Sequence, residues 1–223
     1  MANYKKRFIR LFFGLFLIGL STFFNGVSGM GYTPWGVLND GISKTTGITY
    51  GQANIIIGIA VLLVDILSGE VFGLGTILNI VCIGVFVDIM NWLNNAVRFL
   101  PVLDNVYYNL ALCVLAAALN IVGIYFYISI KMGCGPRDCL SIVITKKTPM
   151  SLGTSRLLLD LGALVVGYML KGTVGIGTLI ITLTKGPGLQ LACKIGDLDV
   201  RAYSNESVTE TIKKLVSMAK ESK

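Results

Sequence analysis

The chain has 223 residues, 54% hydrophobic and 14% charged, and its mean hydropathy of +0.74 excludes an ordinary soluble domain. It contains no histidine, which removes His-based triads, His-ligated zinc or haem, and imidazole proton relays. The net charge of +7 does not point to nucleic acid, because that needs a basic face on a folded domain and here the basic residues flank apolar runs.

In chain order, runs apolar enough to cross about 30 Å of hydrocarbon lie near Phe8–Ser28, Thr49–Leu67, Val71–Leu93, Val106–Ile130, Ser151–Leu170 and Val174–Cys193. Lys5, Lys6 and Arg7 before the first run also fit a signal peptide with a loose cleavage site at Ser28-Gly29-Met30. Retention of that span is expected, because the second half of the chain keeps its own leading span. A Gly- and Pro-containing turn follows the first and fourth runs, and after it comes a stretch too short to cross, Trp35–Ser43 or Arg137–Thr145. Pro34 and Pro136 suit a first helical position, where a missing N–H costs nothing, so two short interfacial or re-entrant helices are expected. Thr49-Tyr50-Gly51-Gln52 reads as a capping box opening the second span, and Ser151 does the same job for the fifth.

Gly73-Leu74-Gly75-Thr76 and Gly175-Ile176-Gly177-Thr178 open the third and sixth spans. Two readings stand: glycine simply permits a tight turn, or the free N–H groups of a helix start attract an anion. The duplication favours backbone geometry.

These pairings belong to a gapless internal repeat at an offset of 102 residues. Met30-Gly31-Tyr32-Thr33-Pro34 lies over Met132-Gly133-Cys134-Gly135-Pro136, Gly51 over Gly153, and Gly84 over Gly186. An odd number of spans per copy makes the second copy enter the membrane from the opposite side, a plan found among secondary transporters. The expected fold is therefore all-α and polytopic: six transmembrane helices as two inverted three-helix repeats, each with a short re-entrant or interfacial helix. Repeat one covers about 8–100 and repeat two about 106–193, within a membrane domain over 1–193. Residues 194–223 form a cytoplasmic tail, in which Ser207–Lys220 has the spacing of an amphipathic helix with Val208, Ile212, Leu215 and Met218 on one face.

Basic residues set the orientation. With the N-terminus inside, the cytoplasm receives Lys5, Lys6, Arg7, Arg10, Lys131, Arg137, Lys146, Lys147 and the tail, while the outside receives Lys44, Arg98 and Lys171. Both termini are expected inside. Cys134 and Cys139 then face a reducing compartment, where thiols stay reduced.

Gly133-x-Gly135-Pro136-Arg137-Asp138-x-Leu140, the following Arg156, and Gly175-Ile176-Gly177-Thr178 with Gly186-Pro187 resemble the YczE/YyaS/YitT-type family, especially its YczE-like branch. The resemblance spans Phe8 to about Cys193. It implies a multi-pass protein of the bacterial cytoplasmic membrane, without naming a reaction. Lys185 lies outside that pattern.

Ionisable groups inside a bilayer cost roughly 2.5–3.5 kcal/mol even on the mildest scale, so each one needs a reason. Arg156 and Asp160 stand four apart on one helix face and can compensate each other; their copy-one counterparts are Asn54 and Gly58. Arg137 and Asp138 replace Trp35 and Gly36 of copy one. Lys185 precedes Gly186-Pro187-Gly188, which is expected to interrupt the sixth span. Each has a structural alternative: an ion pair between spans, a surface salt bridge, or a cytoplasmic flank. Asp65 is expected to snorkel to the inner interface. Asp88, Asn91, Asn95 and Arg98 form a polar stripe that lines a vestibule or faces headgroups, with Trp92 favouring the latter.

The function expected is transporter-like: a site between the repeats for an unidentified small solute or ion. The candidate residues are Arg137, Asp138, Arg156, Asp160 and Lys185, with Gly73, Gly75, Thr76, Gly175, Gly177 and Thr178 as backbone motif. The alternatives are a solute-binding subunit of a larger transport complex and a non-transporting scaffold or assembly factor. No nucleophile–base signature points to an enzyme. No cofactor, metal or nucleic acid is expected; the lipid bilayer is the evident partner, and a homodimer is compatible with the pattern.

Overall fold

The computed structural model describes residues 2–69, 72–133, 135–198, 207–211 and 213. Among them the regular elements are eight helices of more than one turn: α1 (Ala2–Ser28), α2 (Pro34–Thr46), α3 (Tyr50–Leu67), α4 (Leu74–Val97), α5 (Val106–Ser129), α6 (Pro136–Lys147), α7 (Leu152–Met169) and α8 (Ile176–Ile195). The helix starts follow the local chemistry. Thr49 Oγ1 accepts the Gln52 N–H while Gln52 Oε1 accepts the Thr49 N–H. Ser151 caps α7 through Thr154, and Asn105 caps α5 through Tyr107 and Tyr108. Pro34 and Pro136 begin the short helices, whose 13 and 12 residues reach about 20 Å, less than a bilayer core.

The leading helices α1 and α5 pack against each other at the centre of the molecule. Gly14 and Gly123 let them approach so closely that a Cβ on either would stand 2.8–2.9 Å from the other's carbonyl oxygen. Around this contact Leu11, Leu15, Ile18, Ile83, Val87, Tyr127, Ile130 and Met132 form a buried core. The short helices cross between the halves: α2 packs on α7 and α6 packs on α3.

Elsewhere the apolar residues face outward. Ile56, Ile59 and Leu63 on α3, Val81, Val85 and Ile89 on α4, and Leu157, Leu161 and Val165 on α7 are exposed. Side chains of this kind over several helices need hydrocarbon rather than water. Among the described residues α1, α3, α4 and α5 are long and apolar enough to cross a membrane. The stretches expected as fifth and sixth spans form helices, α7 and α8, but these are not among the helices that meet that measure; they carry Arg156, Asp160 and Lys185.

The glycine motifs work as backbone devices. Thr76 and Thr178 accept the N–H of Gly73 and Gly175, both at 3.3 Å. The Gly75 N–H donates to the Met132 carbonyl and the Gly177 N–H to the Met30 carbonyl, both at 2.8 Å. Each helix start is thus tied to the turn of the opposite copy, where Gly31 and Gly133 take positive φ of 108° and 127°. With those amides occupied, the backbone reading of the motif is favoured over the anion reading.

Three expectations need correction. Pro187 does not interrupt the last helix, for α8 runs through it to Ile195. Proline removes one i→i−4 bond, and the rest of the ladder carries the helix past it. Asp65 is buried, at 1% exposure, and so does not snorkel. Cys139 is disulfide-bonded rather than a reduced thiol. Of the tail helix, the described part docks on the turn before α4, where the Val208 N–H donates to the Phe72 carbonyl and Thr211 is fully buried; Ile212, Leu215 and Met218 lie outside the described residues.

A charged cavity between the two copies

One cavity of about 460 Å³ receives all five ionisable candidates, Arg137, Asp138, Arg156, Asp160 and Lys185. The glycine motif residues do not line it. Its walls include the N-terminal turns of both short helices and faces of α3, α7 and α8, with Ile18, Ile80, Ile83, Ile124 and Ile181 as apolar surface.

The ion pair is not the one that spacing suggests. Arg156 pairs with Asp138 at 2.9 Å, across α6 and α7, and Asp160 instead accepts the Trp35 indole N–H at 2.9 Å. Side chains four apart share a helix face, but α6 brings a carboxylate to Arg156 from outside that helix. Both partners of the pair are 46% exposed, so it contributes about 0–1 kcal/mol.

Trp35 holds two groups at once. Its ring lies under the Arg137 guanidinium, 4.9 Å from centroid to Cζ, a cation–π contact, while its N–H engages Asp160. Arg137 also donates to Asn54 Oδ1 at 3.1 Å. Asn54 is fixed in turn, accepting from Asn39 at 3.0 Å and donating to the Ile80 carbonyl at 3.2 Å. Among the described residues neither Arg137 nor Lys185 has a carboxylate within 4.0 Å, and Lys185 has no hydrogen-bond partner. Asn120 lines the same space, 8% exposed, with its Oδ1 unpartnered.

Trp35, Asn54 and Asn120 were not among the expected site residues. The signal for the first two lies in the repeat itself: they occupy the positions of Arg137 and Arg156 in copy one, and a polar residue facing a charged counterpart marks a broken symmetry. Asn120 opposes Ile18, an amide inside an apolar run.

The polar stripe at the end of α4 takes no part in the cavity. Asp88 accepts from Thr49 Oγ1 and from the Gly51 N–H, Asn91, Asn95 and Arg98 are exposed, and Trp92 is 70% exposed.

The pattern of a family of unknown function (DUF6198) matches residues 5–194. Among curated proteins, an uncharacterized protein of Haemophilus influenzae is 31% identical over 194 residues, covering 87% of this chain and 86% of its own. The uncharacterized membrane protein YczE of Bacillus subtilis is 30% identical over 178 residues, covering 78% of this chain and 80% of its own. YyaS of the same organism is 26% identical over 174 residues, covering 78% and 85%. No solved structure matches. The chain belongs to the DUF6198 family and is an integral membrane protein of the YczE-like kind.

Proposed function

From that membership we propose that the chain is a transporter-like, non-enzymatic protein of the bacterial cytoplasmic membrane, binding a small solute or ion between two inverted three-helix repeats. The observation that carries the reading is the cavity itself. It draws charged side chains from α6, α7 and α8 and polar ones from α2, α3 and α5 into a single space. Charges are expensive inside an apolar fold, and Arg137 and Lys185 form no ion pair within 4.0 Å there. A packed scaffold has no need of such a space.

The inverted arrangement is supported by contacts that recur at the repeat offset. Gly75–Met132 and Gly177–Met30 are one bond made twice with the copies exchanged, and the α2–α7 packing has its counterpart in α6–α3. A two-fold axis in the membrane plane relates such pairs. We read six crossings from the six apolar runs and place both termini inside by the basic residues, with 1–193 as the membrane domain and 194–223 as its tail.

The reading is tested by flux into liposomes containing the purified protein: saturable uptake of a small charged solute supports it. Binding without flux, together with co-purification of an ATPase module, assigns the protein as a subunit of a larger complex. Neither binding nor flux leaves the scaffold reading. Single cysteines at Lys44, Lys171 and Ser207 test the topology. The first two are expected to label from outside and the third only after permeabilisation; external labelling at Ser207 contradicts the inverted repeat.

A further inference from the structure

We infer that the occupant of this cavity is a small organic anion, a carboxylate with an apolar body, anchored by Arg137 and Lys185. The inference rests on the binding-site reading above and adds the ligand's chemical class. Three cations and two carboxylates line the space. Arg156 and Asp138 neutralise each other at 2.9 Å. Of the remainder, Asp160 is engaged by the Trp35 N–H and lies within 4.0 Å of neither remaining cation. Arg137 and Lys185 therefore line the cavity without a direct ion pair, and the lining as a whole carries one net positive charge.

Arg137 is prepared for an anion rather than simply stranded. Trp35 supports one face of its guanidinium and Asn54 fixes one terminal nitrogen. Its remaining N–H groups form the planar fork that matches a carboxylate. Lys185 adds a point charge from α8, on the opposite copy from Trp35. The isoleucines from α1, α4, α5 and α8 favour an organic body over a bare inorganic ion, since an ion gains nothing from aliphatic walls. Asn120, buried with a free Oδ1, offers one further polar contact, which suits a hydroxyl or amino substituent. A space of about 460 Å³ suits a molecule of amino-acid to small aromatic-acid size.

The test uses the full chain in nanodiscs of phosphatidylcholine, titrated with three isosteric probes: pentanoate, pentylamine and pentanamide, followed by thermal melting and calorimetry. Saturable stabilisation by pentanoate alone is expected, with affinity reduced about tenfold in Lys185→Gln, a variant that breaks no hydrogen bond or ion pair in the folded protein. Arg137→Gln is expected to abolish the response. Stabilisation by the amine or the amide, with none from pentanoate, overturns the anion class while leaving the binding site standing. No response to any probe overturns the site as well. A response to chloride or phosphate equal to that of pentanoate removes the organic body. Loss of the pentanoate response when phosphatidylglycerol replaces part of the lipid assigns the cavity to a lipid headgroup and contradicts the proposal.

Discussion

The two copies differ most where their second and third long helices meet, α3 with α4 and α7 with α8. In copy one, α3 and α4 are zipped together: a Cβ on Gly51 would collide with the Gly84 carbonyl and the Asp88 carboxylate, and one on Gly84 would stand 2.6 Å from the Gly51 carbonyl. Asp88 latches the same end by accepting from Thr49 and Gly51. In copy two, the equivalent Gly153 meets nothing nearer than its own cap residue at 3.9 Å, and Gly186 meets nothing within 4 Å. Gln190 stands where copy one has Asp88. The open seam between α7 and α8 is where Gly153, Arg156, Lys185 and Gly186 line the cavity. One sequence pattern thus appears once closed and once open, which in the proposed inverted arrangement places the closed seam outside and the open one inside.

Glycines that both copies use alike give the largest expected effects. Gly75→Val and Gly177→Val each put a side chain against the opposite turn, where even a Cβ would lie 2.9 and 2.7 Å from a carbonyl oxygen. Each is expected to abolish folded yield, measured by size-exclusion recovery in detergent. Normal recovery of either would break the equivalence of the crossovers. Next comes the seam itself. Gly51→Val overpacks α3 against α4 and is expected to cost about 1–3 kcal/mol or more, whereas Gly153→Val leaves melting nearly unchanged and blocks flux by holding the seam open. Equal destabilisation by the two would mean that both seams are packed.

The latch gives a smaller contrast. Asp88→Asn weakens two charge-assisted bonds and is expected to lower stability by roughly 1–3 kcal/mol, while Gln190→Ala, at an exposed position, stays within about 0.5 kcal/mol. The smallest effect belongs to the half-exposed pair. Asp138→Asn is expected to change melting by the equivalent of about 0–1 kcal/mol, with no further loss in Asp138→Asn/Arg156→Gln. A large loss that the double variant recovers would show the pair to be deeply buried.

What was legible in the sequence was what local chemistry fixes. Prolines 34 and 136, the Thr49 box, the Ser151 cap and the Gly-x-Gly-Thr starts each act within a few residues, and the helices begin where these predict. The five charged candidates could be picked out because charge in an apolar run needs a reason. Their partners could not. Arg156 has Asp160 one turn away, yet pairs with Asp138, because which carboxylate reaches it depends on how α6 crosses α7. Trp35 supporting Arg137, its own counterpart in the repeat, is likewise a product of packing between copies. The continuity of α8 through Pro187 shows a strong local signal outvoted by the rest of the helix.

The central claim is that the open seam of copy two leads into a hydrated, charged site. The measurement that tests it most directly is the sided labelling of Lys185→Cys with a membrane-impermeant thiol reagent, read against the unsubstituted protein. Labelling in inside-out vesicles and none in right-side-out vesicles is the result predicted, with the rate falling when pentanoate is present. Labelling from the outside, or from neither side, would contradict it.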